Sequence, residues 1–341
     1  MNKMKLLIPC AFCDAEAKLK SQKRVLTYRK EEFNVVEHYY LCENCKEEFT
    51  TTETDTVTIL QAHNQYREKY LVPFTDWIIG LRSKYDLSAA KMSEILGLGA
   101  NGYSNYEKGE MPSPAIANLI KAADNPDFFK ALLIKAKDCF SENLYANALD
   151  RIQYLQTRHL VENEQYSILN IHKEPIALTG FKSLNIDKIA NVLIAFIDRC
   201  NSNFNDKLKL NKLIFYTDFL NYKTTGYSIT GLTYRAIQYG PVPTYYSNIY
   251  GYLADECLID SEWIKDSDGS AKETFAAKSP FDQSLFSESE LDSIEIVIHK
   301  FKNTSTWDLV DIVHKEKAWI ELHANKSTIN YQEYAFDLQA I

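Results

Sequence analysis

The sequence predicts a mainly α, multi-domain chain, and three observations carry that reading. Two Cys-x-x-Cys pairs bracket a short alternating segment near the start. Apolar residues recur at helical spacing through most of the chain beyond the second pair. In the second half, a helix that is apolar on most sides runs into a turn rich in glycine and proline. The expected parts are a small β zinc-binding domain at 1–58, a helix-turn-helix bundle at 70–138 and a helical linker at 139–182. A mostly helical domain with one short β element is expected at 183–325. A chain of 341 residues has room for two or three domains at roughly 100–200 residues each.

Composition narrows the class. Hydrophobic residues make up 45% and charged residues 25%, as in an ordinary globular protein. No apolar run approaches the roughly 18 residues of a membrane helix. The opening MNKMKLLIPCAFC has too short an apolar stretch for a signal peptide. A cytoplasmic protein is the expectation. Net charge is −8, unevenly spread: residues 1–140 hold 19 basic and 19 acidic side chains, so all of the excess lies beyond. Phosphate contacts supply most non-specific nucleic-acid affinity, so only the N-terminal part escapes repulsion from DNA. The acidic remainder suits a basic protein partner.

The first 58 residues carry the sharpest chemistry. Cys10, Cys13, Cys42 and Cys45 form two thiolate pairs, the donor set of a closed tetrahedral zinc site. With all four positions cysteine, none is open for catalysis, and the expected Zn²⁺ is structural. Disulfides are the alternative, disfavoured in a reducing compartment. Val25 to Leu41 alternates as a hairpin does. Val57 to Tyr70 reads as a polar joining helix.

Helical spacing then returns. Phe74, Ile78, Leu81 and Tyr85 mark one helix, and Ser88 caps a second with Met92, Ile95 and Leu96 inward. Gly97-Leu98-Gly99 turns the chain into a short helix from about Ala100 to Glu107, with Tyr103 and Tyr106 inward. Asn101, Ser104, Asn105 and Lys108 fall at i, i+3, i+4, i+7 and make a polar stripe. Amides pair with adenine edges, and lysine reaches guanine or phosphate, so the stripe is a candidate DNA-reading face. The competing reading is an ordinary solvated face.

Residues 6–133 resemble the MqsA-type antitoxins through CAFC, CENC and LSAAKMSEILGLGANGYSNYEKGEMPSP. The resemblance implies a four-cysteine zinc domain that binds a toxin. It also implies a helix-turn-helix that dimerises on a palindromic operator. It makes Asn101 a base reader and Glu107 a structural partner. Asn105 stands where the family commonly has a base-contacting arginine, which implies a different operator sequence.

Asp138 to Glu164 reads as one or two helices with Leu144, Ala148, Ile152 and Leu155 on one face, serving as core, spacer or dimer contact. Tyr166 to Lys182 is irregular. Ile186, Ile189, Leu193 and Ile197 then share a helical face. In the central helix, Leu210, Leu213, Ile214 and Leu220 form one apolar stripe, and Phe215, Phe219 and Tyr222 another. Thr225-Gly226 ends it, Tyr234 to Gln238 reads as extended, and Tyr239-Gly240-Pro241-Val242-Pro243 reads as a rigid turn. Asp266 to Lys278 reads as an exposed polar excursion. Ser287-x-x-Glu290 and Ser305-x-x-Asp308 open two further helices.

Leu184 to Leu322 resembles the Panacea (SocA-like) antitoxin domain. The carrying residues are Leu208 to Pro243, Leu309 to Glu316, and Trp319. The resemblance implies neutralisation of a cognate protein toxin by direct contact. The exposed surface around Tyr239 to Tyr246, with Tyr239, Pro241, Tyr245 and Tyr246, is the candidate toxin-binding site. The chain shows no phosphate loop, no nucleophile elbow and no paired-histidine metal motif, so no catalytic residue is assigned. The function expected is a type II antitoxin that represses its own operon. The alternatives are a regulator whose C-terminal domain senses a ligand or protein, and a protease adaptor for the toxin.

Overall fold

Four antiparallel strands open the fold: β1 (Leu7–Pro9), β2 (Glu16–Tyr28), β3 (Glu31–Cys42) and β4 (Glu48–Phe49), in the order β1-β2-β3-β4. The computed structural model describes residues 4–158, 175–200, 205–265 and 271–341. Arg29 and Lys30, both at positive φ, close the β2–β3 hairpin. Positive φ at both central residues matches the right-handed twist of the strands. Phe33 and Val35 are buried on one face of β3, and His38, Tyr40 and Cys42 on the other.

Helix α1 (Thr52–Lys69) starts five residues before the predicted Val57 and is far more buried than a polar joining helix would be. Gln61 explains why. Its side chain accepts from the Val36 amide at 2.7 Å and donates to the Val36 carbonyl at 2.9 Å. The helix uses amides in place of apolar groups to satisfy a strand's backbone.

The chain divides into two compact units, Met1–Gln65 with His172–Ile341, and Tyr66–Ile171. Among its described residues the second unit holds helices and no strand: α2 (Thr75–Lys84), α3 (Ala89–Leu96), α4 (Gly102–Glu107), α5 (Pro114–Ala122), α6 (Pro126–Lys135) and α7 (Glu142–Arg158). Ile78, Leu81, Met92, Ile95, Tyr103 and Phe129 centre its core. Ala148, Ile152 and Leu155 of α7 are buried in that same core, while Leu144 is only partly covered. Of the three roles open to this helix, packing into the core is observed. The cap expected at Ser88 is present, its Oγ accepting from the Lys91 amide at 3.3 Å, and Pro114 opens α5 behind Ser113. Most of the irregular stretch at Tyr166 to Lys182 lies outside the described residues.

The first unit continues with α8 (Ile186–Arg199) and α9 (Lys207–Thr225), then β5 (Tyr234–Ile237), β6 (Gly240–Pro243) and α10 (Tyr246–Asp255). A two-stranded hairpin comes next, β7 (Ile259–Lys265) and β8 (Ala271–Ala277). The chain then runs through α11 (Glu288–Phe301), α12 (Thr306–Val313), α13 (Lys317–Leu322), β9 (Thr328–Ile329) and α14 (Tyr331–Tyr334). Helix α9 is the hub. Every residue from Lys209 to Tyr222 is buried, and the helix packs on α8, α11, α12 and β6.

Two expectations are corrected. Gly240–Pro243 is strand β6, paired antiparallel with β5, and the turn is displaced to Gln238 and Tyr239. Proline is admitted because β6 is the edge of the order β6-β5-β9. The supposed polar excursion includes β8, whose Phe275 is buried and stacks on Tyr250 with ring centroids 4.8 Å apart. Residues 266–270 of that stretch lie outside the described residues.

Candidate metal centre and partner-binding faces

Two turns bring the four cysteines together. Cys10 lies just after β1 and Cys42 ends β3. Four residues after each, Asp14 and Lys46 sit at positive φ and return an amide to the carbonyl of Cys10 (3.1 Å) and Cys42 (2.9 Å). Each pair is thus presented by the same knuckle. Sγ of Cys10 lies 3.7 Å from that of Cys45, and Sγ of Cys13 lies 3.6 Å from that of Cys42. All four ligand atoms lie within 4.8 Å of one another. Sulfurs bound tetrahedrally at about 2.3 Å from one ion stand about 3.8 Å apart, so the set fits a single tetrahedral metal. The Phe12 amide lies 3.4 Å from Cys10 Sγ and the Asn44 side-chain amide 3.6 Å from Cys13 Sγ. Donors of this kind stabilise thiolate charge around a metal. Cys10 and Cys42 are buried, so an uncompensated thiolate pair would be costly without an ion.

In the helical unit, α4 carries the polar stripe. Asn101, Asn105 and Lys108 are exposed and Ser104 is half-buried, while Tyr103 on the opposite side is fully buried. The Tyr103 hydroxyl donates to the Ile78 carbonyl at 2.7 Å, and its amide donates to Ser93 Oγ at 3.0 Å. These bonds fix the rotation of a helix too short to hold itself. Glu107 is turned away from the stripe and pairs with Arg82 at 2.6 Å. Arg67 donates to the carbonyls of Pro73 (2.5 Å) and Gly109 (3.0 Å), tying down the loop after α4.

Around β6 the four sequence-chosen residues separate. Tyr239 and Tyr245 are exposed, Tyr246 is half-buried, and Pro241 is buried. Pro241 is therefore corrected: it lies under the surface against α9 and offers no contact face. Trp307, at the start of α12, is the residue sequence reading missed. It is 62% exposed and meets Tyr239 edge-to-face with centroids 5.8 Å apart. The signal was present, because Leu309, Val310 and Val313 point inward and Trp307 falls on the other side of that helix. Beneath the pair, Gly240 has φ +113, and an added Cβ would stand 2.8 Å from Val313 Cγ1.

Residues 210–320 match the family model described as antitoxin SocA-like, Panacea domain. Residues 8–132 match the one described as the antitoxin component of a bacterial toxin-antitoxin system, MqsA. The chain joins an MqsA-type segment to a Panacea domain. Both parts are antitoxin families of toxin-antitoxin systems. No curated protein and no solved structure matches the chain. No helix among the described residues is long and apolar enough to cross a membrane.

The MqsA-type match covers all four cysteines and the whole of α4. The Panacea match stops short of elements that complete its fold. β9 pairs with β5 through Tyr234↔Ile329 and Arg235↔Thr328. The buried Glu316 carboxylate accepts from the amides of Gln339 (3.0 Å) and Ala340 (3.1 Å) and from the Tyr216 hydroxyl (3.1 Å). Helix α1 of the MqsA-type segment is also joined to the C-terminal part of the chain. Asn64 donates to the Gly226 carbonyl at 3.1 Å, and Gln332 donates to Gln61 Oε1 at 2.9 Å.

Proposed function

We propose that the chain is a type II antitoxin whose Panacea domain holds a cognate protein toxin and whose α4 stripe reads an operator. The observation that carries this reading is the Tyr239–Trp307 pair, two large rings left in solvent on a domain of an antitoxin family. Aromatic side chains of this kind are the usual energetic centres of protein interfaces. The acidic excess beyond residue 140 suits a basic toxin surface. The reading includes a structural Zn²⁺ on Cys10, Cys13, Cys42 and Cys45, since MqsA is a zinc-binding family. It also includes a homodimer on a palindromic operator, a cytoplasmic setting and no catalytic role.

The docking of the MqsA-type sheet on the Panacea domain supports assigning the toxin to the Panacea face, with the sheet as scaffold. The test is co-purification of the full chain with the product of the neighbouring reading frame, then the same assay on the double variant Tyr239→Asp/Trp307→Asp. The complex should weaken by roughly 30-fold or more, corresponding to loss of about 2 kcal/mol or more at a hot spot. Unchanged binding and unchanged rescue of growth would move the toxin site elsewhere.

A further inference from the structure

The N-terminal sheet with the residues just before it and the C-terminal part border an open cavity of about 810 Å³ that neither family match accounts for. That size lies within the roughly 300–1,000 Å³ of small-molecule sites. Its walls are mainly apolar: Leu6 and Leu19 from the sheet, and Leu220, Ile296 and Phe336 from the C-terminal part. Leu6 is 79% exposed, an apolar side chain held at the mouth with little to cover it.

The polar groups converge and carry one sign. Lys5, Lys20 and Lys223 line the cavity, and among the described residues no lining side chain is acidic. The Lys223 ammonium reaches the Leu338 and Ile341 carbonyls only at 3.2 and 3.3 Å. The Glu316 and Asp337 carboxylates also act on this ammonium against the cost of burial, and neither lines the cavity. His38, also in the lining, is 4% exposed, and its Nδ1 has no hydrogen-bond partner among the described residues. A buried polar atom without a partner is costly unless a ligand satisfies it. Burial and the neighbouring Lys223 hold the His38 imidazole down to about 4. A backbone bond to Val36 pulls weakly the other way, and the ring is neutral at physiological pH with Nδ1 unpartnered.

We propose that this cavity binds a small amphipathic carboxylate, its chain against Leu19, Leu220 and Phe336 and its oxygens between Lys223 and His38. A cation and a neutral donor side by side match the two oxygens of one carboxylate. Such a ligand would bridge the MqsA-type sheet and the Panacea domain and stabilise their contact. The site is independent of the toxin face and of the metal, so it stands or falls separately from the proposed antitoxin activity.

Octanoate is the probe, with 1-octanol as the uncharged control of equal length. Calorimetry on the full chain should give one octanoate per chain with Kd of roughly 1 mM or tighter, and octanol at least about tenfold weaker. Lys223→Met should weaken octanoate about tenfold and leave octanol unchanged. The His38 ring resonances should shift with octanoate saturation. The inference is overturned by equal affinity for octanoate and octanol, by no octanoate binding up to about 5 mM, or by wild-type binding in Lys223→Met. Should Lys223→Met fail to fold, Lys5→Glu/Lys20→Glu alters only exposed residues. Binding weakened by about threefold or more supports the site, and unchanged binding overturns it.

Discussion

The Tyr234 hydroxyl donates to Asp218 Oδ2 at 2.6 Å, and both residues are fully buried. Asp218 also accepts from the amides of Ile229 (2.8 Å) and Thr230 (2.9 Å) and from Thr230 Oγ1 (2.5 Å). One carboxylate on α9 therefore gathers the loop after the helix and the first strand of the small sheet. Burial pushes its carboxyl up, and the four donors pull it back. Asp218→Asn places an amide among donors and should cost about 2–4 kcal/mol. Tyr234→Phe, which removes one donor only, should cost about 1–2 kcal/mol. Urea denaturation of both variants checks the order, and an Asp218→Asn protein as stable as wild type would remove the organising role.

Lys212 yields a pH dependence. Its ammonium is fully buried, and among the described residues it bonds only to the Leu208 carbonyl of its own helix at 3.1 Å. Burial pushes it down to about 7, with Asp206 pulling weakly the other way. The unfolded chain therefore binds more protons than the folded one between about pH 7 and 10.5, so folding stability rises with pH across that window. Below pH 7 the cost of the buried charge is fully present. Lys212→Met should flatten this rise and gain about 1–3 kcal/mol at pH 6. Parallel melts at pH 6 and 9.5 decide it: an equal gain at both would mean that packing, and not charge, is responsible.

Metal content is the next expectation. The purified chain should hold one zinc ion, because the sulfurs already stand at tetrahedral spacing. Cys42→Ser should lower the metal content and loosen the β2–β3 hairpin, since Cys42 is buried at the end of β3. Cys257→Ser, at an exposed thiol, should change neither. Elemental analysis with amide exchange across residues 16–42 reads both. A metal-free protein with a fully protected hairpin would remove the structural role.

The α4 stripe makes a contrast between neighbours. Asn101→Ala or Asn105→Ala should cost about 1–3 kcal/mol of operator affinity with the melting temperature unchanged. Glu107→Ala, which breaks the 2.6 Å pair with Arg82, should lower the melting temperature first. Gel-shift titration on the upstream DNA, with thermal melts alongside, separates the two classes. Equal loss from all three would indicate that α4 is a structural helix only.

Legibility in the sequence tracks the range of the forces. Cysteine spacing, the caps at Ser88 and Ser287, and the inward positions of α3 and α9 are local, and local pattern carries them. β6 reads as a turn because two prolines in four residues look like punctuation. Only its edge position, set by β5, makes a strand possible there. Helix α1 reads as an exposed joiner when polarity is equated with exposure, whereas Gln61 and Asn64 spend their amides on backbone 25 and 162 residues away. Trp307 is passed over for the opposite reason: an apolar residue is expected inside, although its place across α12 from Leu309, Val310 and Val313 marks it as outward. The cavity behind Lys223 needs the sheet and the C-terminal residues together, which no window of sequence contains.

The two prolines of β6 have one more effect. Half the residues of that strand carry no amide hydrogen, on the outer rim of the small sheet. A rim without a full ladder of donors is a poor template for a foreign strand, including the same strand of a second copy. The chain can therefore leave Tyr239 and Trp307 uncovered without inviting its own copies to polymerise through the sheet.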